Sequence, residues 1–161
     1  MKIKLVEKSC DHVERITFVS ATALCIVMMV VAILHIFFRY VLDNSLTWSE
    51  EFLRFSLVWF SLLSASLIHK ERGHIGIVLF RQRMPVKIGK LLERIIPFIA
   101  VITTFIITMY GIDLVLRVEG QFTPALRIPM AIPYLSIPVS FLFMTIYGIQ
   151  HILHDMRDKE A

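Results

Sequence analysis

Charge is scarce in this sequence. Asp, Glu, Lys and Arg make up 19% of its 161 residues, and hydrophobic types make up 57%. Soluble domains run nearer 45–50% apolar and about 25% charged. The shortage is local, because the charges collect between long apolar blocks. A chain this short cannot hide such blocks in a water-soluble core, so lipid is the physical alternative. Cysteine is scarcer still. Cys10 and Cys25 offer neither a disulfide framework nor metal-ligand spacing, and Cys25, inside an apolar block, reads as a small buried hydrophobe. A cleavable leader is also missing from the pattern. Lys2, Lys4, Lys8 and Arg15 precede the first block. That block is too long for an ordinary signal core, and no small-x-small site leading into polar sequence follows it. It is expected to stay as an uncleaved first helix.

What is present is four blocks. The first, Ile16 to Phe38, holds 23 residues without a formal charge. The second runs from about Phe52 to His69 with Arg54 as its one charge, the third from Ile95 past Asp113, and the fourth from Ile128 to about Leu153. At about 1.5 Å per residue, about 20 residues cross a hydrocarbon core. The expected architecture is an all-α integral membrane protein of one domain. Its spans lie near 16–38, 50–69, 93–116 and 129–153. Between the second and third spans, segment 71–92 repeats apolar residues at helical spacing (Ile75, Val78 and Leu79, then Ile88, Leu91 and Leu92) with basic residues elsewhere. That pattern predicts an amphipathic helical segment on the inner surface, with Arg72, Arg81, Arg83, Lys87 and Lys90 reaching phospholipid headgroups.

The connections sort the orientation. Basic residues are rich before the first block, poor after it, rich between the second and third, poor again around Arg117 and Arg127, and present in the tail at Arg157 and Lys159. The positive-inside rule then puts both termini in the cytoplasm. The net charge of +4 sits beside apolar blocks, which favours anionic lipid over nucleic acid.

Polar residues near the outer boundary are the candidates for a specific role. Thr47-Trp48-Ser49-Glu50-Glu51 opens the second block. Thr47 and Glu50 have capping-box spacing, Trp48 is an interfacial aromatic, and Arg54 lies one i,i+4 step after Glu50. One reading is a well-capped helix start. The other is a docking site for a partner subunit, built from Arg39, Trp48, Glu50, Glu51 and Arg54, since charge near lipid needs a partner or water. Glu50 and Glu51 diverge by about 100° around a helix, so they make no facing acid–base pair. No nucleophile or third ligand accompanies them, and catalysis is not expected. Arg39 with Asp43, and Asp113 with Arg117, stand four apart and are expected to neutralise each other where helices leave the lipid.

Histidines raise a rival reading, a haem-bearing anchor of a redox complex. His69 and His151 are the pair at similar depth, but a histidine at a wet boundary needs no ligand. A small self-sufficient transporter or channel is the second rival. Neither a cofactor nor a metal is expected. Ser56, Ser61, Ser64, Ala65 and Ser66 make the second block rich in small side chains. Ser61 and Ala65 are the expected packing positions, and this helix is expected to be the most protein-buried. Gly120 and Pro124 predict a folded turn after the third block, and Pro129, Pro133 and Pro138 a bent start to the fourth.

Two stretches carry a resemblance: RYVLDNSLTWSEEFLRFSLVWFSLLSASLIHKERGHIGI, Arg39 to Ile77, and TPALRIPMAIPYLSIPVS, Thr123 to Ser140. The first has Arg39-Tyr40, Trp48-x-Glu50-Glu51, Arg54 and His74. The second has Pro124 to Leu126, Ile128-Pro129, Tyr134 and Ile137-Pro138. In these positions the chain resembles the small, DctQ-type membrane subunit of tripartite ATP-independent periplasmic (TRAP) transporters. Ser64-Ala65 departs from the family's frequent Gly-Ala. The resemblance implies a non-catalytic subunit that braces a large DctM-type membrane subunit and helps dock a periplasmic substrate-binding protein. It further implies sodium-coupled secondary uptake of an organic acid, such as a dicarboxylate or a sialic acid, across a bacterial inner membrane.

Overall fold

The computed structural model describes residues 2–44, 46–70 and 86–157. Among these the secondary structure is helical, apart from one isolated antiparallel bridge between Phe122 and Pro129. The helices are α1 (Lys2–Tyr40), α2 (Thr47–Lys70), α3 (Val86–Arg117), α4 (Ala131–Tyr134) and α5 (Ser136–Arg157). Four runs are long and apolar enough to cross a membrane: Asp11–Tyr40, Thr47–Lys70, Ile95–Arg117 and Ala131–Leu153, the last joining α4 to α5. Residues 71–85 of the expected surface segment lie outside the described residues. Residues 86–92 form the first turns of α3.

Local chemistry explains the breaks. The α1 sequence holds no Gly or Pro. Its chain reverses where Asp43 takes φ 47, a left-handed conformation that Asp tolerates, and the Asn44 N–H returns to the Phe38 carbonyl at 3.1 Å. Thr47 is the first helical residue of α2 rather than its cap. The Leu46 carbonyl there accepts both the Ser49 N–H (3.2 Å) and the Ser49 hydroxyl (2.7 Å). Pro97 lies within α3, where it can donate no hydrogen bond to the preceding turn. The start of the fourth span is interrupted at Leu135: α4 ends at Tyr134 and α5 starts at Ser136, with Pro133 and Pro138 on either side.

The interior reverses the pattern of a soluble protein. Among the described residues, the buried apolar side chains are Ala21, Leu63, Pro133, Pro138, Met144 and Tyr147, outnumbered by buried Ser and Thr. Large aliphatics face outward instead, with Ile16 61%, Ile33 64% and Leu116 64% exposed. Lipid supplies no hydrophobic drive between helices, so small residues that admit close approach fill the interface. Several of their hydroxyls bond to the preceding turn: Thr17 donates to Val13 O (2.7 Å), Ser66 to Leu63 O (2.7 Å), Thr108 to Thr104 O (2.8 Å) and Ser136 to Pro133 O (2.7 Å).

Helix α5 is the centre. α2 and α3 both pack on it, while α1 packs mainly on α2. In the most apolar stretch of the last span 44% of residues are buried, against 17% in α2. This corrects the expectation that the second span is the most protein-buried. The reason lies in two small-residue faces. Pro138, Thr145 and Gly148 meet α3, where Thr145 Oγ1 donates to Thr104 Oγ1 at 3.0 Å. Ser136, Ser140, Met144 and Tyr147 form the next buried stripe, and Lys70 of α2 stands 5.8 Å from the Tyr147 ring centroid.

Candidate functional site

The expected outer cluster comes together, with its partners redistributed. Ser49 is fully buried between α1 and α2. Its hydroxyl proton goes to Leu46 O, so the 2.7 Å contact between Ser49 Oγ and His35 Nδ1 makes Nδ1 the donor. The other ring nitrogen, Nε2, stands 3.8 Å from Glu50 Oε1, and Arg39 Nη1 stands 3.7 Å from the same oxygen. Arg39 therefore pairs with Glu50 and not with Asp43. Helix α1 has ended before Asp43, which removes the i,i+4 geometry. The Arg39 guanidinium also lies 5.9 Å from the Tyr40 ring centroid.

Glu51 turns the other way around α2. Its Oε2 accepts the backbone N–H groups of Ala125 (3.0 Å) and Leu126 (2.7 Å). The recipient is the folded loop after α3. Thr123 and Ile128 exchange bonds (Thr123 N to Ile128 O 2.9 Å, Ile128 N to Thr123 Oγ1 3.2 Å), and Met130 N donates to Gln121 O at 2.9 Å. Gly120 takes φ 85 and Arg127 φ 53. Deeper along α2, Trp59 Nε1 donates to Ile132 O at 3.2 Å. Adjacent carboxylates thus do different work: Glu51 fastens a loop within the chain, while Glu50 and Arg54 stand exposed at the N-terminal end of α2. Trp48 is 40% exposed and meets Phe52 edge-on at 6.4 Å.

At the opposite end Lys70 bonds Asp11 (3.0 Å) and Glu14, tying α2 to α1. The sequence reading missed this pairing, as it missed His35–Ser49, since both link residues remote in the chain. The signal available was an acid–base complement where the start of the first span meets the end of the second. Asp113 and Arg117 pair as expected, at 2.6 Å. Of the expected packing residues, Ala65 is half-buried and Ser61 is exposed. The α2 side chains buried within this chain are Ser49, Ser56, Leu63 and Ser66. Arg72, Arg81 and Arg83 lie outside the described residues, and Lys87 and Lys90 are placed by backbone only. Among the described residues no group of His, Cys, Asp and Glu could hold a metal ion.

Replacing Lys70 by Met leaves Asp11 and Glu14 facing each other without their cation. Both carboxylates are partly exposed, so the expected loss is small, about 1 kcal/mol. Thermal melting in mild detergent checks it. Unchanged melting would mean that the triad contributes nothing.

A family model described as tripartite ATP-independent periplasmic transporters, DctQ component, matches residues 28–158. The isethionate TRAP transporter permease protein DctMQ of Oleidesulfovibrio alaskensis is 30% identical over 112 residues. That match covers 68% of this chain and 18% of the relative, so the chain spans less than a fifth of the relative's length.

Proposed function

Since the chain belongs to the DctQ component family of the tripartite ATP-independent periplasmic transporters, we propose that it is the scaffold of a sodium-coupled secondary transporter for an organic acid. In this reading it is a non-catalytic, multi-pass subunit of a bacterial inner membrane, with both termini cytoplasmic. It braces a large DctM-type subunit, and its outer face helps a periplasmic substrate-binding protein dock. Arg72, Arg81, Arg83, Lys87 and Lys90 hold the inner surface to phospholipid headgroups. The relative's name speaks of isethionate, itself an organic-acid anion.

The observation that carries the reading is the division of labour at the outer end of α2. Glu51 is committed inside the chain, but Glu50 is tethered only through long contacts of 3.7 and 3.8 Å. Its side chain stays 55% exposed, with Arg54 exposed one turn further on. A carboxylate and a guanidinium held at a membrane boundary favour a polar protein partner. Ser61 lies further along that side of α2 and is exposed, and a small residue there admits a second protein closely.

Glu50→Ala is expected to lower recovery of the large subunit in a mild-detergent pull-down by about tenfold, the scale of a lost interfacial hot spot. The chain itself should melt at an unchanged temperature. Intact assembly with altered substrate affinity would mean that this surface handles substrate and does not brace a partner.

A further inference from the structure

We infer that the outward face of the outer third of α3, formed by Tyr110, Asp113 and Arg117, is a buried contact with the large membrane subunit. The inference rests on the scaffold reading above and adds a surface that reading does not contain.

Depth is the first step. Thr104 bonds Thr145, and side chains built on Gly111 and Gly148 would meet Pro138 and Val101. This antiparallel register sets Asp113 level with Ser136 of α5. Lys70 stands over Tyr147, which fixes α5 against α2. Ser136 precedes Tyr147 by 11 residues, so Asp113 lies about 16 Å outward of Lys70, on a helix α2 about 34 Å long. The Asp113–Arg117 pair therefore begins near the middle of α2.

The bilayer surface cannot drop to that level. On α1, which pairs with α2 through Glu14–Lys70 and His35–Ser49, the same height falls near Cys25. Beyond it stand Ile26, Met29, Ile33 and Ile36, between 55% and 64% exposed. A surface at Asp113 would leave all of these in water. A surface that covers them puts Asp113 in hydrocarbon.

Direction is the second step. The side of α3 toward the bundle carries Val101, Thr104, Thr108 and Gly111. Asp113 lies on the opposite side, in line with Ile99, Ile102 and Ile106, which are 46% to 58% exposed. Tyr110 is 73% exposed, and the Arg117 and Asp113 side chains are 73% and 52% exposed. Ionised groups at such depth face protein or a water-filled cavity, not lipid. The mutual pair uses one of the five Arg117 donors, which leaves several for a neighbour. The occupant follows from the relative, in which the stretch matching this chain is a minor part of a longer permease protein. A membrane helix of that larger body, apolar along the Ile stripe and polar at the level of Asp113, fits this face. The ion pair then sets its register.

The test uses the complete complex in native membranes. A p-benzoylphenylalanine probe at Tyr110 is expected to capture the large subunit on illumination, and the same probe at Met29 on α1 is not. Replacing the pair together, Asp113→Leu with Arg117→Leu, should leave the chain inserted and lower recovery of the large subunit about tenfold. A pair that merely neutralised itself toward lipid would be replaced without loss. The inference is overturned if the Tyr110 probe captures nothing while a probe at Arg54 captures the large subunit. It is also overturned if Asp113→Cys in the assembled complex reacts with a membrane-impermeant maleimide. If neither probe captures the large subunit, the scaffold reading fails and takes this inference with it.

Discussion

Gly148→Leu is expected to force α3 away from α5 and to destabilise the bundle by about 3 kcal/mol, the upper range for an overpacked core position. A Cβ at Gly148 would lie 2.6 Å from Val101 Cγ2. Valine in a helix has one strongly preferred rotamer, so the methyl cannot turn aside, and leucine adds further carbons beyond the clash. The helices must part. That separation strains the Thr104–Thr145 bond and opens the contact of Gly111 with Pro138, both on the same seam. In a domain of this size the loss corresponds to a melting temperature lower by on the order of 10 °C, measurable by circular dichroism in mild detergent. The paired change Gly148→Ala with Val101→Ala should recover most of the stability, because it removes the clashing methyl. Melting of Gly148→Leu at the original temperature would mean that α3 and α5 do not meet at this point.

That seam shows where sequence reasoning reaches its limit. Four spans could be read because hydrocarbon imposes a length, about 20 apolar residues, and the runs around Ile16–Phe38 and Ile128–Leu153 satisfy it. The faces could not be read. In water, burial and hydrophobicity coincide, so periodicity reports the core. In lipid both sides of a helix are apolar, and the buried side is marked by small residues. Helix α2 holds small residues at 56, 61, 64, 65 and 66. The sequence offered no ground for preferring Ser56 and Ser66, which are buried, over Ser61, which is exposed. Polar candidates were legible as types but not as partners. Glu51 and Leu126 are separated by 75 positions, and the rotation that sends Glu51 to the loop while Glu50 meets Arg39 depends on where α3 ends. The pairs within one helix were half right. Asp113–Arg117 forms because α3 continues through both. Arg39–Asp43 does not, because α1 stops at Tyr40.

The fastening of the loop leads to the second large effect. Glu51→Ala is expected to loosen residues 121–130 and to cost about 2 kcal/mol, less than the sum of two hydrogen bonds to a charged acceptor, because water can reach the exposed Ala125 N–H. The loop depends on that acceptor because it holds a residue under strain. Arg127 sits at φ 53, which costs a non-glycine residue on the order of 1–2 kcal/mol, and it stays there only while neighbouring bonds over-determine the turn. With the Ala125 and Leu126 amides released, the remaining backbone ties are the Arg127 N–H to Thr123 O, the Thr123–Ile128 exchange and the Met130 N–H to Gln121 O. Arg127 can then relax to negative φ, and the backbone opens to protease. Trypsin cleavage after Arg127 is the readout, and Glu51→Ala should speed it by on the order of tenfold when cleavage follows the open population. Glu51→Gln should fall between, since its amide oxygen still accepts but without charge. An unchanged cleavage rate in Glu51→Ala would mean that the carboxylate does not hold this loop. The comparison with Glu50→Ala separates two neighbouring roles. One substitution should free a loop and leave the partner bound, and the other should free the partner and leave the loop closed.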